Sequence, residues 1–336
     1  MVYGDPAAAA ATHRLTSAPT GGLTDSGWQY IGTFGTGNSR YIGTPIAPNQ
    51  FITAAHVGVT SSITYGGNTY TVASSTQVGT TDLRIFTING TFSSYAPLYD
   101  ERVDGSLTGK QLVVYGRGVA PGTAVTSVQP GVNNPSTVSN GWTWGAIDGT
   151  VSWGTNNVDG LSILNGGTAL GQMLTFSAST SSATEAALTD KDSGGPVFVQ
   201  GTGGVWKLAG VNYGVTPQSF FTVTPSQVAT TNAAWYDPQG PNPAGYYYVN
   251  VTATGTAAVW DTSNLFLLYG TGGGLSYYRP ASEFTVNGLQ QSYSTSISSN
   301  FDAIRAIAPI PEPTSLAVLG TAGLLFCRRG RRDLAR

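Results

Sequence analysis

The sequence predicts an all-β fold of many short antiparallel strands, and three observations carry that expectation. Glycine accounts for 45 of 336 residues and only 10% of the chain is charged, the profile of strands joined by tight turns. No long stretch before residue 300 repeats apolar residues at helical period. Runs rich in Val, Ile, Thr and aromatic residues recur between turn signals, a spacing that suits barrels or a sandwich.

In chain order, strands are expected at Trp28–Phe34, Arg40–Ile46, Phe51–Ala55, Asn68–Ala73 and Leu83–Ile88. Gln111–Tyr115, Pro196–Gln200, Trp206–Tyr213 and Gly245–Thr252 follow. Some 280 residues, on the order of two ordinary domains, can bury two small cores without disulfides. The single cysteine, Cys327, lies in the C-terminal tail, so the body has no disulfide and no Cys-based metal site. With two histidines in the chain a His-rich metal centre is excluded, and no cofactor is expected. A formal net charge of −2, with arginines concentrated in the tail, leaves no basic stripe for nucleic acid.

Chemistry concentrates in Asp190-Lys191-Asp192-Ser193-Gly194-Gly195-Pro196-Val197-Phe198. A serine flanked by Asp and Gly-Gly ahead of an apolar strand is presented as a nucleophile, and a hydroxyl needs a base and a group to orient that base. His56 supplies the base from Phe51-Ile52-Thr53-Ala54-Ala55-His56-Val57, where a strand runs into small residues that let the backbone turn. The other histidine, His13, sits in a Thr/Ala/Pro-rich stretch before the first expected strand. Asp82, at the mouth of Leu83–Ile88, is the expected orienting acid. Asp100 and Asp104 are the alternatives, although Tyr99-Asp100-Glu101-Arg102 reads as a charged surface turn without a following apolar run.

Thr-Ala-Ala-His, Asp-Leu-x-Ile and Asp-Ser-Gly-Gly-Pro-Val, in that order, resemble the motifs of the chymotrypsin-like (trypsin-like) serine proteases. The resemblance implies two six-stranded antiparallel β-barrels with a cleft between them and a short C-terminal helix. Gly109–Gly118 resembles the strand that opens the second barrel, Leu208–Gly214 the strand that binds substrate backbone, and Ser292–Ile304 the closing strand and helix. By the same resemblance His56, Asp82 and Ser193 are the catalytic residues, and the backbone N–H groups of Lys191 and Ser193 form the oxyanion hole. Asn212, Tyr213 and Gly214 contact substrate, and Ala187 floors an uncharged specificity pocket. Lys191 departs from the family's usual glycine, and no activated N-terminus is visible for Asp192 to pair with. The implied organisation is an N-terminal segment 1–26 and a protease domain 27–305. Its first barrel covers about 27–105 and its second about 106–305, and it carries an insertion at about 219–290.

Residues 306–336 form a separate module. Pro311-Glu312-Pro313 precedes an uncharged apolar run, Thr314–Cys327, and the cluster Arg328-Arg329-Gly330-Arg331-Arg332. The run is shorter than the roughly 20 residues of a permanent span, and its basic end suits a stop at the inner membrane face. This tripartite pattern resembles the PEP-CTERM sorting signal of bacterial exported proteins. It implies transient membrane contact through residues 316–327 and removal by an exosortase-type partner. It also implies a destination at the surface, outer membrane or matrix of a Gram-negative-type bacterium. No signal peptide is visible at Met1–Ala11. The expectation is therefore an exported serine endopeptidase acting on protein or peptide substrates. The alternatives are a weak or inactive relative serving as a binding module, and an esterase on the same residues.

Overall fold

The computed structural model describes residues 2–3, 15–129, 136–164, 170–177, 185–215, 219–223, 235–236, 247–248, 251–259, 265–272, 275–280 and 291–309. The chain opens with β1 (Val2–Tyr3), β2 (Gly32–Phe34), β3 (Tyr41–Ala47), β4 (Gln50–Ala54), β5 (Ser62–Tyr65), β6 (Asn68–Gln77) and β7 (Leu83–Ile88). A single helical turn, α1 (Glu101–Asp104), leads to β8 (Gln111–Gly116), β9 (Val119–Gln129), β10 (Ser136–Ile147), β11 (Ser152–Asn157) and β12 (Gly160–Ile163). Next come β13 (Gln172–Ser177), β14 (Ala186–Ala187), β15 (Pro196–Gln200) and β16 (Trp206–Val215). The expected insertion supplies β17 (Ser219–Val223), β18 (Trp235–Tyr236), β19 (Tyr247–Tyr248), β20 (Val251–Val259), β21 (Leu265–Gly272) and β22 (Leu275–Pro280). The body closes with β23 (Gln291–Ser296) and α2 (Phe301–Ile307).

The all-β expectation holds. Strands β2-β3-β4-β7-β6-β5 form a closed antiparallel barrel, sealed where Thr33 of β2 pairs with Thr64 of β5. The second half is a seven-stranded antiparallel sheet in the order β11-β8-β15-β16-β23-β13-β12. It curls until Asn156 at the end of β11 donates to the Ser177 carbonyl at the end of β13, at 3.0 Å. One closed six-stranded barrel and one curled seven-stranded sheet thus stand where two six-stranded barrels were expected.

Side-chain alternation explains why the central strands read as continuous apolar runs. On β8, Leu112 and Val114 enter the core of the second half, while Val113 and Tyr115 enter a core shared with the first barrel. On β15, Val197 and Val199 point one way and Phe198 the other. On the barrel strands β4 and β7, Phe51 and Phe86 stack inside the barrel at 4.8 Å, whereas Ile52 and Ile85 face the shared core. Each such fully buried side chain contributes about 1.5–3 kcal/mol. The two halves are thus held in fixed relation along the seam where the candidate site lies.

Two expectations need correction. Trp28–Tyr30 is a 3₁₀ turn, and only Gly32–Phe34 of the expected strand Trp28–Phe34 pairs. Its aromatics dock on the shared core instead: Tyr30 stacks on Phe198 at 6.0 Å and Trp28 tilts against Tyr115 at 6.3 Å. Gly27, at φ 123°, lets the chain approach; a Cβ there would lie 2.2 Å from the Phe198 ring. The second correction concerns Gly245–Thr252, where Tyr247–Tyr248 and Val251–Val259 belong to separate strands. They are part of an eight-stranded antiparallel sheet, β18-β19-β22-β21-β17-β20-β10-β9, so residues of the insertion extend the β9–β10 hairpin as sheet. The tail, residues 310–336, lies outside the described residues, and among those described no helix is long and apolar enough to cross a membrane.

A buried carboxylate pins the connection between the halves. Asp104 accepts from Lys207 Nζ at 2.7 and 2.9 Å, from the Thr202 N–H at 2.9 Å and from the Asp100 N–H at 3.0 Å. Burial pushes its pKa up, but the Lys207 hydrogen bond and the two N–H donors outweigh burial and hold it below the ordinary carboxylate value. A lowered folded-state pKa contributes stability that is complete above the unfolded value and is lost as pH falls through the folded one. Asp104→Asn is expected to cost about 3 kcal/mol at neutral pH, because Lys207 is left half-buried without its charge partner. The difference from wild type should narrow on acidification below the ordinary carboxylate range. Urea unfolding at neutral and acid pH measures both.

Candidate active site

His56 leaves β4 on the 3₁₀ turn Ala55–Val57, which ends at Gly58 with φ 87°. That turn lifts the imidazole out of the barrel, and its side chain is 42% exposed. Asp82 follows the tight turn Val78–Thr81, closed by the Thr81 N–H on the Val78 carbonyl, and immediately precedes β7. Because β7 pairs with β4, with Leu83 opposite Ala54, Asp82 comes to rest beside Ala55 and His56. The Ala55 N–H donates to the Asp82 carbonyl at 3.0 Å.

The carboxylate of Asp82, 4% exposed, takes two bonds from His56. Oδ1 accepts the main-chain N–H at 2.8 Å and Oδ2 lies 2.7 Å from Nδ1. An ionised carboxylate only accepts, so Nδ1 carries the ring proton. This leaves the Nε2 lone pair facing Ser193 Oγ at 2.8 Å. The structure therefore joins Asp82, His56 and Ser193 in one hydrogen-bonded chain. Asp100 and Asp104 take no part in it: Asp100 caps α1 and pairs with Arg102, and Asp104 pairs with Lys207.

The loop that carries Ser193 is anchored at both ends. Upstream, the buried Asp192 carboxylate accepts the Gly118 N–H at 2.8 Å on Oδ1, and the Thr189 N–H and hydroxyl at 2.8 and 2.9 Å on Oδ2. A Cβ on Gly116 would lie 1.9 Å from Asp192 Oδ1, and one on Gly118 would lie 2.3 Å from the Asp190 carbonyl. Gly116 and Gly118 thus open a socket in which this carboxylate accepts from main-chain N–H groups and a hydroxyl. Downstream, the Gly194 N–H donates to the Asn212 carbonyl at 2.9 Å and the Asn212 N–H to the Gly195 carbonyl at 2.7 Å. Gly194 has φ 83°, and a Cβ there would meet Thr53 Oγ1 at 2.2 Å.

Between these anchors Lys191 adopts φ 68°, one of two non-glycine residues with positive φ among those described. The conformation is sparsely populated and costs on the order of 1 kcal/mol. It is sustained by the socket on one side and Gly194 on the other. No hydrogen bond from the Lys191 or Ser193 N–H is made among the described residues. Two unused donors beside a serine hydroxyl can receive an oxyanion as it forms.

The remaining site candidates divide. Tyr213 is at the site: its carbonyl lies 3.4 Å from Ser193 Oγ and its ring meets the His56 ring edge-on at 5.5 Å. Gly214 follows it on β16, with no atom within 4 Å of a Cβ built there. The Asn212 side chain points into the core, donating to the Tyr115 carbonyl at 2.8 Å and accepting from the Ser294 hydroxyl at 3.0 Å. Its main-chain groups are committed to Gly194 and Gly195, so its expected contact with substrate is replaced by support of the loop. Ala187 is buried on β14, with Val2 of β1 opposite it. Reading the motifs missed Gly116, Gly118 and Thr189; the Gly-Arg-Gly spacing after β8 was the available signal.

No family model matches the chain, and no curated protein matches it. Among solved structures it is similar to a mutant of human heparin binding protein, with 10% identity over 86% of this chain and 95% of that one and a TM-score of 0.45. An atomic-resolution structure of HBP is similar at 11% identity and TM-score 0.46, with the same coverage. The passenger domain of plasmid encoded toxin, an autotransporter enterotoxin from enteroaggregative Escherichia coli, is similar at 18% identity and TM-score 0.35, over 52% of this chain. The matched part is 19% of that passenger domain.

Proposed function

We propose that the protein is a serine endopeptidase. The observation that carries this reading is the hydrogen-bonded chain from Asp82 through His56 to Ser193, beside the two unused N–H donors of Lys191 and Ser193. Ser193 Oγ attacks the scissile carbonyl carbon as its proton passes to His56 Nε2. The oxyanion sits between the N–H groups of Lys191 and Ser193, each worth about 3 kcal/mol in the transition state. The proton then goes from Nε2 to the leaving amine, giving the acyl-enzyme, and water repeats the sequence with His56 again as base. Tyr213 and Gly214 offer the edge on which substrate backbone lies.

Because the sequence Ala186–Thr189 carries no charged side chain, small or apolar residues are favoured before the scissile bond. The tail pattern, read as a sorting signal, suits an exported enzyme from which residues beyond Pro311–Pro313 are removed. A second reading, a weak enzyme used as a binding module, draws on Lys191: a non-glycine residue at φ 68° makes the oxyanion loop costlier to hold.

A fluorophosphonate probe separates the two readings. Wild-type protein should be labelled at Ser193, located by peptide mass mapping, and His56→Ala should label at least a hundredfold more slowly, as loss of a positioned base implies (~10²–10⁴). A folded wild-type protein that does not react would favour the binding module.

A further inference from the structure

Two arginines at the seam between the halves are not used by the proposed chemistry. Arg117, flanked by Gly116 and Gly118, donates from Nε to the Gly149 carbonyl at 2.7 Å and from a terminal nitrogen to the Phe34 carbonyl at 3.2 Å. Arg40, just before β3, donates to the Asp148 carbonyl at 2.6 Å. Both lean on the same turn, since a Cβ on Gly149 would lie 2.3 Å from an Arg40 nitrogen. Each guanidinium has five N–H donors. These bonds use two of Arg117's and one of Arg40's, and the others find no acceptor among the described residues.

Among the described residues neither guanidinium forms an ion pair. The Arg117 pKa is lowered, by burial first and then by the charge of Arg40, so the two cations repel across the seam. Neutral side chains could hold the same carbonyls without that repulsion. A pair of half-buried guanidiniums bonded only to carbonyls is relieved by an anion, and a carboxylate fits their planar forks. Of the nearby acids, Asp190 lies 4.0 Å from Lys191 Nζ, and Asp148 Oδ1 accepts the Thr150 N–H at 2.8 Å.

Position relates the pair to the nucleophile. The upstream half of the Ser193 loop rests on the Arg117 turn, through Gly118 on Asp192 and the Val119 N–H on the Asp190 carbonyl at 3.1 Å. The downstream half rests on Asn212, next to Tyr213 and Gly214. Arg40 is two residues from Ile42, whose carbonyl would lie 2.9 Å from a Cβ on Gly194. With the acyl side of a substrate along Tyr213–Gly214, the arginines fall on the side of the leaving group.

We infer that Arg40 and Arg117 form an anion subsite that takes an acidic side chain of the substrate on the leaving-group side of the scissile bond. The inference rests on the serine endopeptidase reading. The test uses wild-type protein and a positional library of internally quenched peptides, with Asp and Glu compared against Asn and Gln at each of the positions after the cleaved bond. At one position the acids should raise kcat/KM about tenfold, the scale of one charge-assisted hydrogen bond. Adding salt should shrink the ratio. The ratio should fall to near one in Arg40→Gln/Arg117→Gln and persist in Arg40→Lys/Arg117→Lys, with each single Gln variant as a second measurement should the double variant fail to fold. Equal rates for Asp and Asn in wild type, or a ratio that survives the Gln variants, would overturn the subsite. Fluorophosphonate labelling run in parallel keeps the outcomes apart. A labelled enzyme without acidic preference removes only the subsite, whereas a protein that does not label removes the peptidase reading and the subsite with it.

Discussion

Ser193→Ala and His56→Ala should each lower kcat for amide and ester hydrolysis by about 10⁶, and the double variant should lose hardly more. The reason is geometric. Ser193 Oγ has one ring nitrogen at 2.8 Å to take its proton, and that ring has one hydroxyl to serve. Removing either leaves the other without a task, so the losses cannot add. Neither side chain holds the fold together: His56 is exposed, and the loop around Ser193 is fixed by Asp192, Gly194 and Gly195. Melting temperatures within a few degrees of wild type are therefore expected alongside the loss of turnover, a ΔΔG of about 1 kcal/mol or less. Steady-state assays of the three variants decide it. Residual kcat within tenfold of wild type in either single variant would remove that residue from the chemistry.

Much of this site was legible in the sequence because its parts are local. An apolar strand ending in small residues presents His56, an acid at the start of β7 lies next to β4, and Gly-Gly after Ser193 permits the positive φ of Gly194. The closing strand and helix were legible as well, at Gln291–Ser296 and Phe301–Ile307.

What was not legible depends on partners distant in the chain. Asp192 looks the same in sequence whatever meets its carboxylate. That Gly118 and Thr189 are among its partners follows only from β8 pairing with β15, with Val114 opposite Val197. Asn212 occupies a motif position that suggests substrate contact, yet Tyr115 on β8 and Ser294 on β23 lie within reach and draw its amide inward. Trp28–Tyr30 has strand composition, but two aromatic faces on the shared core outweigh a few ladder bonds. The insertion was read as carrying one strand, Gly245–Thr252, and the union of its strands with β9 and β10 in one sheet is a matter of long-range register, which alternation cannot specify.

Asp82→Asn should lower kcat by about 10⁴ at neutral pH, while Asp100→Asn and Asp104→Asn leave it nearly unchanged. Asp82 meets two donors of His56, a main-chain N–H at Oδ1 and a ring nitrogen at Oδ2. The main-chain donor cannot change its character, so the amide oxygen of an asparagine settles there and its NH₂ turns to Nδ1. The ring must then accept at Nδ1 and carry its proton on Nε2, facing Ser193 with a donor where a base is required. The fold is undisturbed, because the ring stays hydrogen-bonded and its place is held by the Ala55–Val57 turn. Asp100 and Asp104 serve as controls of the same chemical change: they bond to Arg102 and Lys207 and make no contact with His56. Asp104→Asn should therefore separate stability from turnover, lowering the first and sparing the second. Measured kcat for the three Asn variants, each checked by thermal melting, tests the assignment. A larger loss at Asp100 or Asp104 than at Asp82 would show that the acid acting on His56 lies elsewhere.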